Sequence, residues 1–479
     1  MSNTPSPHAG EQYDSAKRNP VIVGLGETGL SVARHLARQG VEFAVVDSRA
    51  EPPGLDALRE ELPDVPVHLG GFDEEILGSA TEIVLSPGVS LQEPAIRRAR
   101  DRGIPVIGDI ELFARALRAS AVRTPVIAIT GSNGKSTVTT LVAEMARLDG
   151  RAVGVGGNIG PPALTVLDNE KVDLFVLELS SFQLETTSTL NPMAATILNI
   201  SEDHRDRYAD MASYAEAKRR ILTGDGAMVL NLDDPLVAEC QFSSKPDNAA
   251  EDNARSVMGF TLGEPGPGRF GIMNRAGGAW IAYGKIPLLP ITALKLRGMH
   301  NAANALAGLA LGTAVGFSLS AMREALREFM GLPHRCQFVA ERDGVRWFND
   351  SKATNVGSAV AAIRSFEHEG GVVLIAGGDG KGADFSPLRD VVRGSAAQMA
   401  VRGVVLLGQD APRIAATVQD VVRVVRADEM RDAVHKARDL AHPGDSVVLS
   451  PACASWDMYR NYQERGEIFT ATVHAEIAQ

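Results

Sequence analysis

Short apolar runs that end at glycine, proline or an acidic residue recur along the first hundred residues. Residues 21–23 lead into glycines and a helix predicted over about residues 30–38, and further apolar runs cover residues 43–46, 83–85 and 106–107. Buried runs of this length that alternate with helical segments are typical of a parallel sheet flanked by helices. We therefore predict an α/β domain at this end of the chain.

Two more sets of such runs follow, and they predict two more α/β units. The first of these sets covers residues 126–129, 174–177 and 195–198, and a small apolar helix is predicted over residues 301–316. The second set covers residues 372–375, 403–407 and 446–449. Between them, residues 242–278 are rich in Ser, Pro, Asp, Asn and Gly, which favours irregular hairpins or a surface excursion. No repeat of fixed period is evident.

The organisation predicted from these patterns is a leader followed by three α/β domains. Residues 1–18 are rich in Ser, Pro, Asn and charge, which predicts a disordered leader. Residues 331–333, Gly-Leu-Pro, predict a linker. We expect a Rossmann-like domain over residues 19–121, a central phosphate-loop ATPase domain over 122–331 and a second Rossmann-like domain over 332–479.

Composition narrows the class of protein. The 479 residues are 44% hydrophobic and carry 59 acidic against 48 basic side chains, a net charge of -11. A disordered chain is excluded, and nucleic acid is not an expected partner because no basic patch is visible. Three scattered cysteines (Cys240, Cys336 and Cys453) predict small buried side chains in a reducing compartment. The sequence has no long apolar stretch, so we expect no membrane span. We also expect a cytoplasmic, monomeric protein.

The first glycine cluster predicts a site for a diphosphate. Gly24, Gly26 and Gly29 stand between a predicted strand and a helix, and Asp47 ends the next strand. In this arrangement the glycines let the backbone approach a pyrophosphate, and the acidic residue meets a ribose. A tight structural turn and an NAD(P)-dependent dehydrogenase remain alternative interpretations. Binding of a UDP-sugar but not of NAD would separate the enzyme classes.

A second glycine loop predicts a nucleoside triphosphate site. Residues 130–137 read Thr-Gly-Ser-Asn-Gly-Lys-Ser-Thr between the strand 126–129 and a helix beginning near Ser136. The backbone N–H groups of such a loop wrap a polyphosphate, Lys135 neutralises β and γ oxygens, and a hydroxyl reaches Mg²⁺. Ile129 stands where the usual spacing requires a glycine, so ordinary phosphate-loop ATPases and GTPases match poorly.

This short loop resembles the ATP loop of the Mur ligase family, and further similar motifs follow in order up to Gly466. They occupy residues 178–183, 199–208, 300–304, 333–335, 349–355, 377–386 and 450–457. The last three are similar to those of the family member that adds D-glutamate. The resemblance implies ATP-dependent ligation of D-glutamate to UDP-N-acetylmuramoyl-L-alanine through an acyl phosphate, in peptidoglycan precursor synthesis.

The resemblance also implies roles for the residues of the ATP site. It assigns Ser136 and Glu178 to one Mg²⁺, Glu178 and His204 to a second, and a carbamylated Lys218 to the metal site. Lys352 is placed with Lys135 among the catalytic residues. The ATP-binding set is Gly131, Ser132, Asn133, Gly134, Lys135, Ser136, Thr137, Asn301, Asn304, Arg335 and Asp350. Without the resemblance, His204 would be a core residue, Lys218 a surface cation, and either asparagine a helix cap.

For the two other substrates, the resemblance implies one set of residues each. Residues implied for the UDP-sugar are Thr28, Asp47, Arg49, Ser86, Gly88, Asn158, Ser180 and Gln183. Those implied for D-glutamate are Thr354, Lys381, Ser455 and Tyr462. At Tyr462 the family pattern has Phe. A dicarboxylate needs cationic and hydroxyl donors, and this second set supplies both.

Three alternatives to this reading stay open at the level of the sequence. A nucleotide-regulated binding module would close around ATP without releasing phosphate. Another Mur ligase, or a folate-type polyglutamate ligase, would share the ATP loop. The segments 350–354 and 378–384 weigh against both of these ligases.

Overall fold

A computed structural model describes residues 19–169, 171–201, 207–244, 255–275, 277–296, 298–366, 370–394 and 401–476. The predicted leader and His204 lie outside the described residues. The chain divides into two compact units. The first reaches Ala293 and includes Ala303–Arg327, and the second contains Leu294–Ala302 and the chain from Glu328 onward.

The N-terminal part of the first unit is a five-stranded parallel sheet in the order β3-β2-β1-β4-β5. Its strands are β1 (Pro20–Val23), β2 (Ala44–Asp47), β3 (Val67–Leu69), β4 (Glu82–Leu85) and β5 (Val106–Ile107). Its helices are α1 (Glu27–Arg38), α2 (Leu55–Glu61), α3 (Glu74–Ser79), α4 (Pro94–Asp101) and α5 (Asp109–Ala119). The strand order reverses between β1 and β4, and such a switch point opens a crevice at the carboxyl ends of the strands.

A nine-stranded mixed sheet follows, in the order β14-β13-β12-β11-β10-β9-β6-β8-β7. Its strands are β6 (Val126–Thr130), β7 (Val153–Gly157), β8 (Leu174–Glu178), β9 (Ala194–Ile197), β10 (Ala227–Asn231), β11 (Val257–Phe260), β12 (Phe270–Arg275), β13 (Gly278–Tyr283) and β14 (Ile286–Pro290). The helices are α6 (Lys135–Leu148), α7 (Ala163–Leu167), α8 (Ser181–Glu185), α9 (Met211–Arg219), α10 (Pro235–Ala238), α11 (Met299–Ala314) and α12 (Leu319–Glu328).

The expected hairpins within residues 242–278 are confirmed in part, but the strands from residue 257 onward are regular members of the sheet. Strand β11 continues the sheet in parallel with β10, and β12, β13 and β14 extend it as antiparallel hairpins. Gly277 lies in the connection between β12 and β13, Gly278 begins β13, and both have positive φ. The turn-forming residues therefore connect short strands, and their abundance hides the strands in the sequence.

The N-terminal sheet and the central sheet share one hydrophobic core. Phe113 of α5 packs edge-on against Phe175 of β8, with ring centroids 5.2 Å apart. Next to this pair, the Gly108 N–H donates to the Thr186 carbonyl at 3.1 Å. These contacts make the two parts of the chain one compact unit.

The second unit contains a six-stranded sheet in the order β15-β16-β20-β17-β18-β19, in which only the edge pair β15–β16 is antiparallel. Its strands are β15 (Gln337–Arg342), β16 (Val345–Asn349), β17 (Val372–Ala376), β18 (Val401–Leu406), β19 (Arg423–Arg426) and β20 (Ser446–Leu449). Its helices are α13 (Val356–Ser365), α14 (Ser386–Arg393), α15 (Ala411–Val418), α16 (Met430–Leu440) and α17 (Tyr462–Glu476).

Two predictions from composition can be compared with this fold. Cys240 and Cys453 are buried as expected, but Cys336 is only partly buried because it follows a turn at the start of β15. Within the part of the chain that the structure describes, no helix combines the length and apolar character needed to cross a bilayer.

Candidate active site

The phosphate loop lies between β6 and α6, as the sequence predicts, and α6 begins at Lys135. Gly134 has φ 82°, in the left-handed region, and a Cβ there would lie 2.5 Å from Oδ1 of Asn304. Only glycine suits this position. The loop thus packs against Asn304 of α11, one of the residues predicted to bind ATP.

Asn199, for which no role is predicted from the sequence, supports the other side of the loop. Its carbonyl accepts the Ser132 N–H at 2.9 Å, and its Oδ1 accepts the Asn133 N–H at 2.8 Å. Its Nδ2 donates in turn to the Asn133 carbonyl at 3.1 Å. Asn199 follows β9, the strand next to β6, so the loop is held by the neighbouring strand end. The signal for this role in the sequence was a polar residue directly after a predicted buried strand.

Two lysines meet at one carbonyl of the loop. Lys135 Nζ donates to the Gly131 carbonyl at 2.9 Å, and Lys218 Nζ donates to the same oxygen at 3.0 Å. Lys218 is only 1% exposed and lies over the Tyr214 ring, 4.5 Å from its centroid. The interpretation of Lys218 as a surface cation is therefore wrong. Two ammonium groups this close repel each other, and an anion close to both would offset this repulsion.

Glu178 ends β8, the strand paired with β6, and lies level with Ile129 just before the loop. Its side chain is 2% exposed. One carboxylate oxygen, Oε1, accepts the Asn158 Nδ2–H at 2.6 Å, whereas Oε2 is buried without a hydrogen-bond partner among the described residues. A buried carboxylate oxygen with no donor is costly unless a cation or a proton joins it.

Glu178 is therefore the residue of this site whose surroundings fit a bound cation. Ser136, in the first turn of α6, carries a hydroxyl oxygen, a ligand type that Mg²⁺ accepts. Over the described ranges, no three His, Cys, Asp or Glu side chains gather into a cluster able to hold a metal ion. His204, the other predicted metal ligand, lies outside those ranges.

A cavity of about 590 Å³ opens at the switch point of the N-terminal sheet and extends to the end of β7. Seven of the eight residues predicted for the UDP-sugar line it: Thr28, Asp47, Arg49, Ser86, Gly88, Asn158 and Gln183. Because Asn158 also binds Glu178, the cavity ends next to the carboxylate that stands beside the phosphate loop. The hydrogen bond between Asn158 and Glu178 thus links the cavity to a residue that lies beside the loop.

Ser180 is the one predicted residue that is not among those lining the cavity. It caps α8: its hydroxyl oxygen accepts the Gln183 N–H at 3.2 Å, and its own N–H donates to Gln183 Oε1 at 3.1 Å. This reciprocal capping box fixes the Gln183 side chain. Ser180 therefore acts on the cavity through Gln183.

Asp47 holds the glycine turn rather than pointing freely at a ribose. Its Oδ2 accepts the Leu25 N–H at 2.7 Å, and Arg49 donates to both carboxylate oxygens at 2.9 and 2.7 Å. Burial raises the pKa of Asp47, but the hydrogen bonds from Arg49 and Leu25 outweigh it and lower the pKa to about 2. Asp47 is thus ionised at neutral pH, and Arg49 presents its remaining donors to the cavity.

A substitution at Gly29 tests how closely the backbone of this turn is packed. A Cβ on Gly29 would lie 2.0 Å from the Gly24 carbonyl oxygen, so we expect Gly29→Ala to lower the free energy of unfolding by about 1–3 kcal/mol. Gly26 is the matched control, because its φ is -97° and no atom lies within 4 Å of a Cβ there. Urea unfolding of both variants checks this; equal losses would contradict the packing described.

The carboxyl ends of β16, β17 and β20 meet at one edge of the second unit, and the residues predicted there follow these strands. Asp350, just after β16, is buried, with Oδ1 accepting the Cys336 N–H at 3.1 Å and Oδ2 accepting the Ser450 hydroxyl at 2.8 Å. Burial raises the pKa of Asp350 to about 7, although Ser450, Cys336 and the charge of Arg335 oppose the rise.

The pKa of Asp350 makes stability depend on pH. Between about pH 4 and 7 the folded state keeps a proton that the unfolded state has lost, so rising pH destabilises the wild type by about 2–4 kcal/mol. Asp350→Asn removes this dependence. We expect its stability advantage, measured by urea unfolding, to grow from pH 5 to pH 7 and then level off. A constant difference would show that the pKa is not raised.

Two of the predicted lysines of this unit lie over aromatic rings. Lys352 Nζ lies 4.0 Å from the centroid of Tyr462, at the start of α17, and Lys381 Nζ lies 4.2 Å from that of Trp456. Trp456 is 66% exposed. Tyr462 thus contacts a predicted catalytic lysine through its ring, an interaction that the usual Phe would also provide.

Thr354 and Ser455 complete this edge. The Thr354 N–H donates to the Lys352 carbonyl at 2.8 Å, and Ser455 is buried two residues after Cys453. Of the remaining ATP-site residues in this unit, Asn301 is buried in the first turn of α11 and Arg335 is half-buried. Their contact with a nucleotide stays a prediction.

Arg465 is a residue of this unit that the sequence reading missed. It is 2% exposed and donates to the Ser351 hydroxyl, the Ser351 carbonyl and the Cys453 carbonyl at 3.0, 2.9 and 3.1 Å. It therefore joins the loop after β16 to the loop after β20. Its spacing from buried Phe469 and Val473 on one face of α17 was the available signal, because a charge on a buried face must be paired.

Comparison with known proteins agrees with this architecture. Residues 18–108 match the family "Mur ligase MurD-like, N-terminal domain", residues 129–312 match "Mur ligase middle domain", and residues 334–453 match "Mur ligase, glutamate ligase domain". Among solved structures, UDP-N-acetylmuramate-alanine ligase from Thermotoga maritima has a TM-score of 0.54 at 18% identity, covering 95% of this chain and 99% of that one.

A second solved structure and two curated relatives extend the comparison. UDP-N-acetylmuramoylalanyl-D-glutamyl-2,6-diaminopimelate--D-alanyl-D-alanyl ligase from Acinetobacter baumannii has a TM-score of 0.55 at 17% identity, covering 97% of this chain and 92% of that one. A protein from Nitrosococcus oceani named UDP-N-acetylmuramoylalanine--D-glutamate ligase is 53% identical to this chain, and the match covers 95% of this chain and 96% of the relative. A protein of the same name from Marinobacter nauticus is 52% identical, and the match covers 95% of this chain and 98% of the relative. With its three matched domains and these relatives, the chain belongs to the Mur ligase family.

Proposed function

We propose that this chain joins D-glutamate to UDP-N-acetylmuramoyl-L-alanine and hydrolyses ATP to ADP and phosphate in doing so. The observation that carries the proposal is the position of Glu178, which lies level with the strand end before the phosphate loop and binds Asn158 of the cavity, and whose Oε2 has no hydrogen-bond partner among the described residues. The names of relatives at about half identity over nearly the whole chain support the same reaction. The reaction is a step of peptidoglycan precursor synthesis, which we place in the cytoplasm.

The chemistry requires an activated carboxylate. The terminal carboxylate of the alanine attacks the γ-phosphorus of ATP, the bond to the β-γ bridging oxygen breaks, and ADP leaves. The amine of D-glutamate then attacks the acyl phosphate carbon, and loss of phosphate and a proton gives the amide. In this proposal, the N–H groups of residues 131–137 bind the polyphosphate and Lys135 neutralises the charge that grows on it.

The metal site is part of the proposal. Ser136 and Glu178 would hold one Mg²⁺, and Glu178, His204 and Lys218 would contribute to a second. A bound divalent ion would neutralise phosphoryl charge and orient the reacting oxygens. The hydrogen bond from Asn158 holds the Glu178 carboxylate beside the cavity, where an ion bound to it would lie next to the phosphate loop.

Lys218 is proposed to carry a carbamate. Its ammonium lies no more than about 6 Å from that of Lys135, since both donate to the Gly131 carbonyl. Addition of CO₂ to the neutral amine, with release of one proton to solvent, would give an anionic carbamate with two oxygens, which replaces repulsion by attraction.

The remaining ATP contacts and the amino-acid pocket follow the family assignments. Asn301, Asn304, Arg335 and Asp350 would bind the nucleoside and phosphates, and Lys352 would be a catalytic residue that lines the amino-acid pocket. Residues proposed for D-glutamate are Thr354, Lys381, Ser455 and Tyr462. Support for this set is that all its members follow β16, β17 or β20 at one sheet edge.

Phosphate release tests the proposed class of reaction. With ATP and Mg²⁺, we expect release only when UDP-N-acetylmuramoyl-L-alanine and D-glutamate are both present. Release without an amino acid would indicate an ATPase, and nucleotide binding without any release would indicate the binding module. Calorimetric titration with NAD and with UDP separates the dehydrogenase alternative, for which NAD alone would bind.

A further inference from the structure

A buried carboxyl group lies beneath the cavity, outside the set of residues considered so far. Asp109 begins α5 and is 1% exposed. Its Oδ2 accepts the Gln183 Nε2–H at 3.3 Å, and its Oδ1 is buried without a partner among the described residues. Burial raises the pKa of Asp109 to about 6, against the effect of the Gln183 hydrogen bond. Such a group is costly to bury, which suggests a role beyond packing.

The orientation of the Gln183 amide follows from its other contacts. The Ser180 backbone N–H can only donate, so the atom 3.1 Å from it must be the amide oxygen Oε1. The amide nitrogen therefore faces Asp109. One of its two hydrogens is used there, and since Gln183 lines the cavity, the other remains for a ligand. Gln183 thus offers a donor to the cavity.

We infer that Asp109 is a positioning residue that holds the Gln183 amide with its nitrogen toward the cavity, so that Gln183 binds an acceptor oxygen of the sugar-peptide end of the substrate. The inference rests on the proposed function, because it uses the UDP-sugar as the occupant of the cavity. Without Asp109, the capping box with Ser180 would hold only the amide oxygen, and the amide nitrogen would lose the acceptor that holds it in place.

Glu111 provides a matched control on the same helix. It is fully buried, two residues after Asp109, and accepts the Ser188 and Thr189 N–H groups at 2.8 and 2.9 Å. It therefore joins the N-terminal and central parts of the first unit, as Asp109 does. None of these partners lines the cavity. A variant of Glu111 perturbs the junction and leaves Gln183 in place.

The test is calorimetric binding of UDP-N-acetylmuramoyl-L-alanine and of UDP to the full chain, without ATP or D-glutamate. We expect Asp109→Ala to raise the Kd of the complete nucleotide-sugar about tenfold, the effect of one hydrogen bond, and to leave the Kd of UDP unchanged. Asp109→Asn keeps an acceptor oxygen at the same place, so its Kd should stay within about threefold of wild type. Glu111→Gln should lower Tm and change neither Kd.

Steady-state kinetics give the second measurement. In Asp109→Ala, KM for the nucleotide-sugar should rise with the Kd, while kcat and KM for ATP and D-glutamate stay within about twofold. An unchanged Kd in Asp109→Ala, or an equal rise in Glu111→Gln, would overturn the inference and leave the ligase activity standing. A wild type that binds no UDP-N-acetylmuramoyl-L-alanine would instead overturn the proposed function, and this inference with it.

Discussion

Glu178→Gln is expected to lower kcat at least about a hundredfold while leaving Tm unchanged or higher. The substitution keeps the shape of the side chain and an oxygen that can accept the Asn158 amide hydrogen. It removes a buried negative charge whose second oxygen has no partner among the described residues, so folding loses nothing that the native contacts provide. If Glu178 binds Mg²⁺ as proposed, activity is lost because a neutral amide is a poor ligand for this ion.

Stopped assays of phosphate release and thermal unfolding, both made over a range of Mg²⁺ concentrations, check this prediction. A wild type stabilised by Mg²⁺ and ADP, next to a variant that is not, would locate the loss in cation binding. Glu111→Gln serves as the control, because it neutralises another buried carboxylate of the same unit at a position remote from the phosphate loop. Wild-type kcat in Glu178→Gln would contradict the assignment of Glu178.

Lys218→Ala is expected to lower kcat about a hundredfold or more, and the wild type, but not the variant, should respond to bicarbonate. If Lys218 carries a carbamate, enzyme depleted of CO₂ loses activity and regains it when bicarbonate is added. The physical reason is the shared Gly131 carbonyl, which brings the Lys218 amine close to Lys135. Lys171→Ala, an exposed lysine of the same unit, is the control.

A measurement independent of turnover completes the test of Lys218. With ¹³C-labelled bicarbonate, the wild type should show a carbamate carbon signal that is absent in Lys218→Ala. Full activity of the variant, or a wild type without a bicarbonate response, would overturn the proposed modification. Loss of activity in the variant with no labelled carbon in the wild type would leave Lys218 as a simple cation beside the loop.

Much of the fold could be predicted from the sequence because glycine motifs and buried strands are local signals. The phosphate loop lies between its predicted strand and helix, and the residues named for the UDP-sugar share a cavity except for Ser180. A capping serine and a ligand-binding serine look alike in sequence, since both follow a strand and precede a helix. The distinction needs the reciprocal hydrogen bonds to Gln183.

What the sequence could not predict depends on partners that are distant along the chain. Asp109 and Gln183 are 74 residues apart, and Arg465 and Ser351 are 114 residues apart. Nothing local to Asp109 indicates that it is buried beneath a cavity, because an acidic residue in the first turn of a helix is ordinarily exposed. The burial of Lys218 was missed for the same reason, since its neighbours Arg219 and Arg220 are not buried.

The most direct test of the central claim is the choice of amino acid. ATP-dependent product formation from UDP-N-acetylmuramoyl-L-alanine would be followed by mass spectrometry with D-glutamate, L-glutamate, D-alanine, L-alanine, L-lysine and diaminopimelate in parallel. We predict a product with D-glutamate alone, with one phosphate released for each amide formed. A product with a different amino acid would contradict the pocket assigned to Thr354, Lys381, Ser455 and Tyr462, and no product with any of them would contradict the proposed ligase.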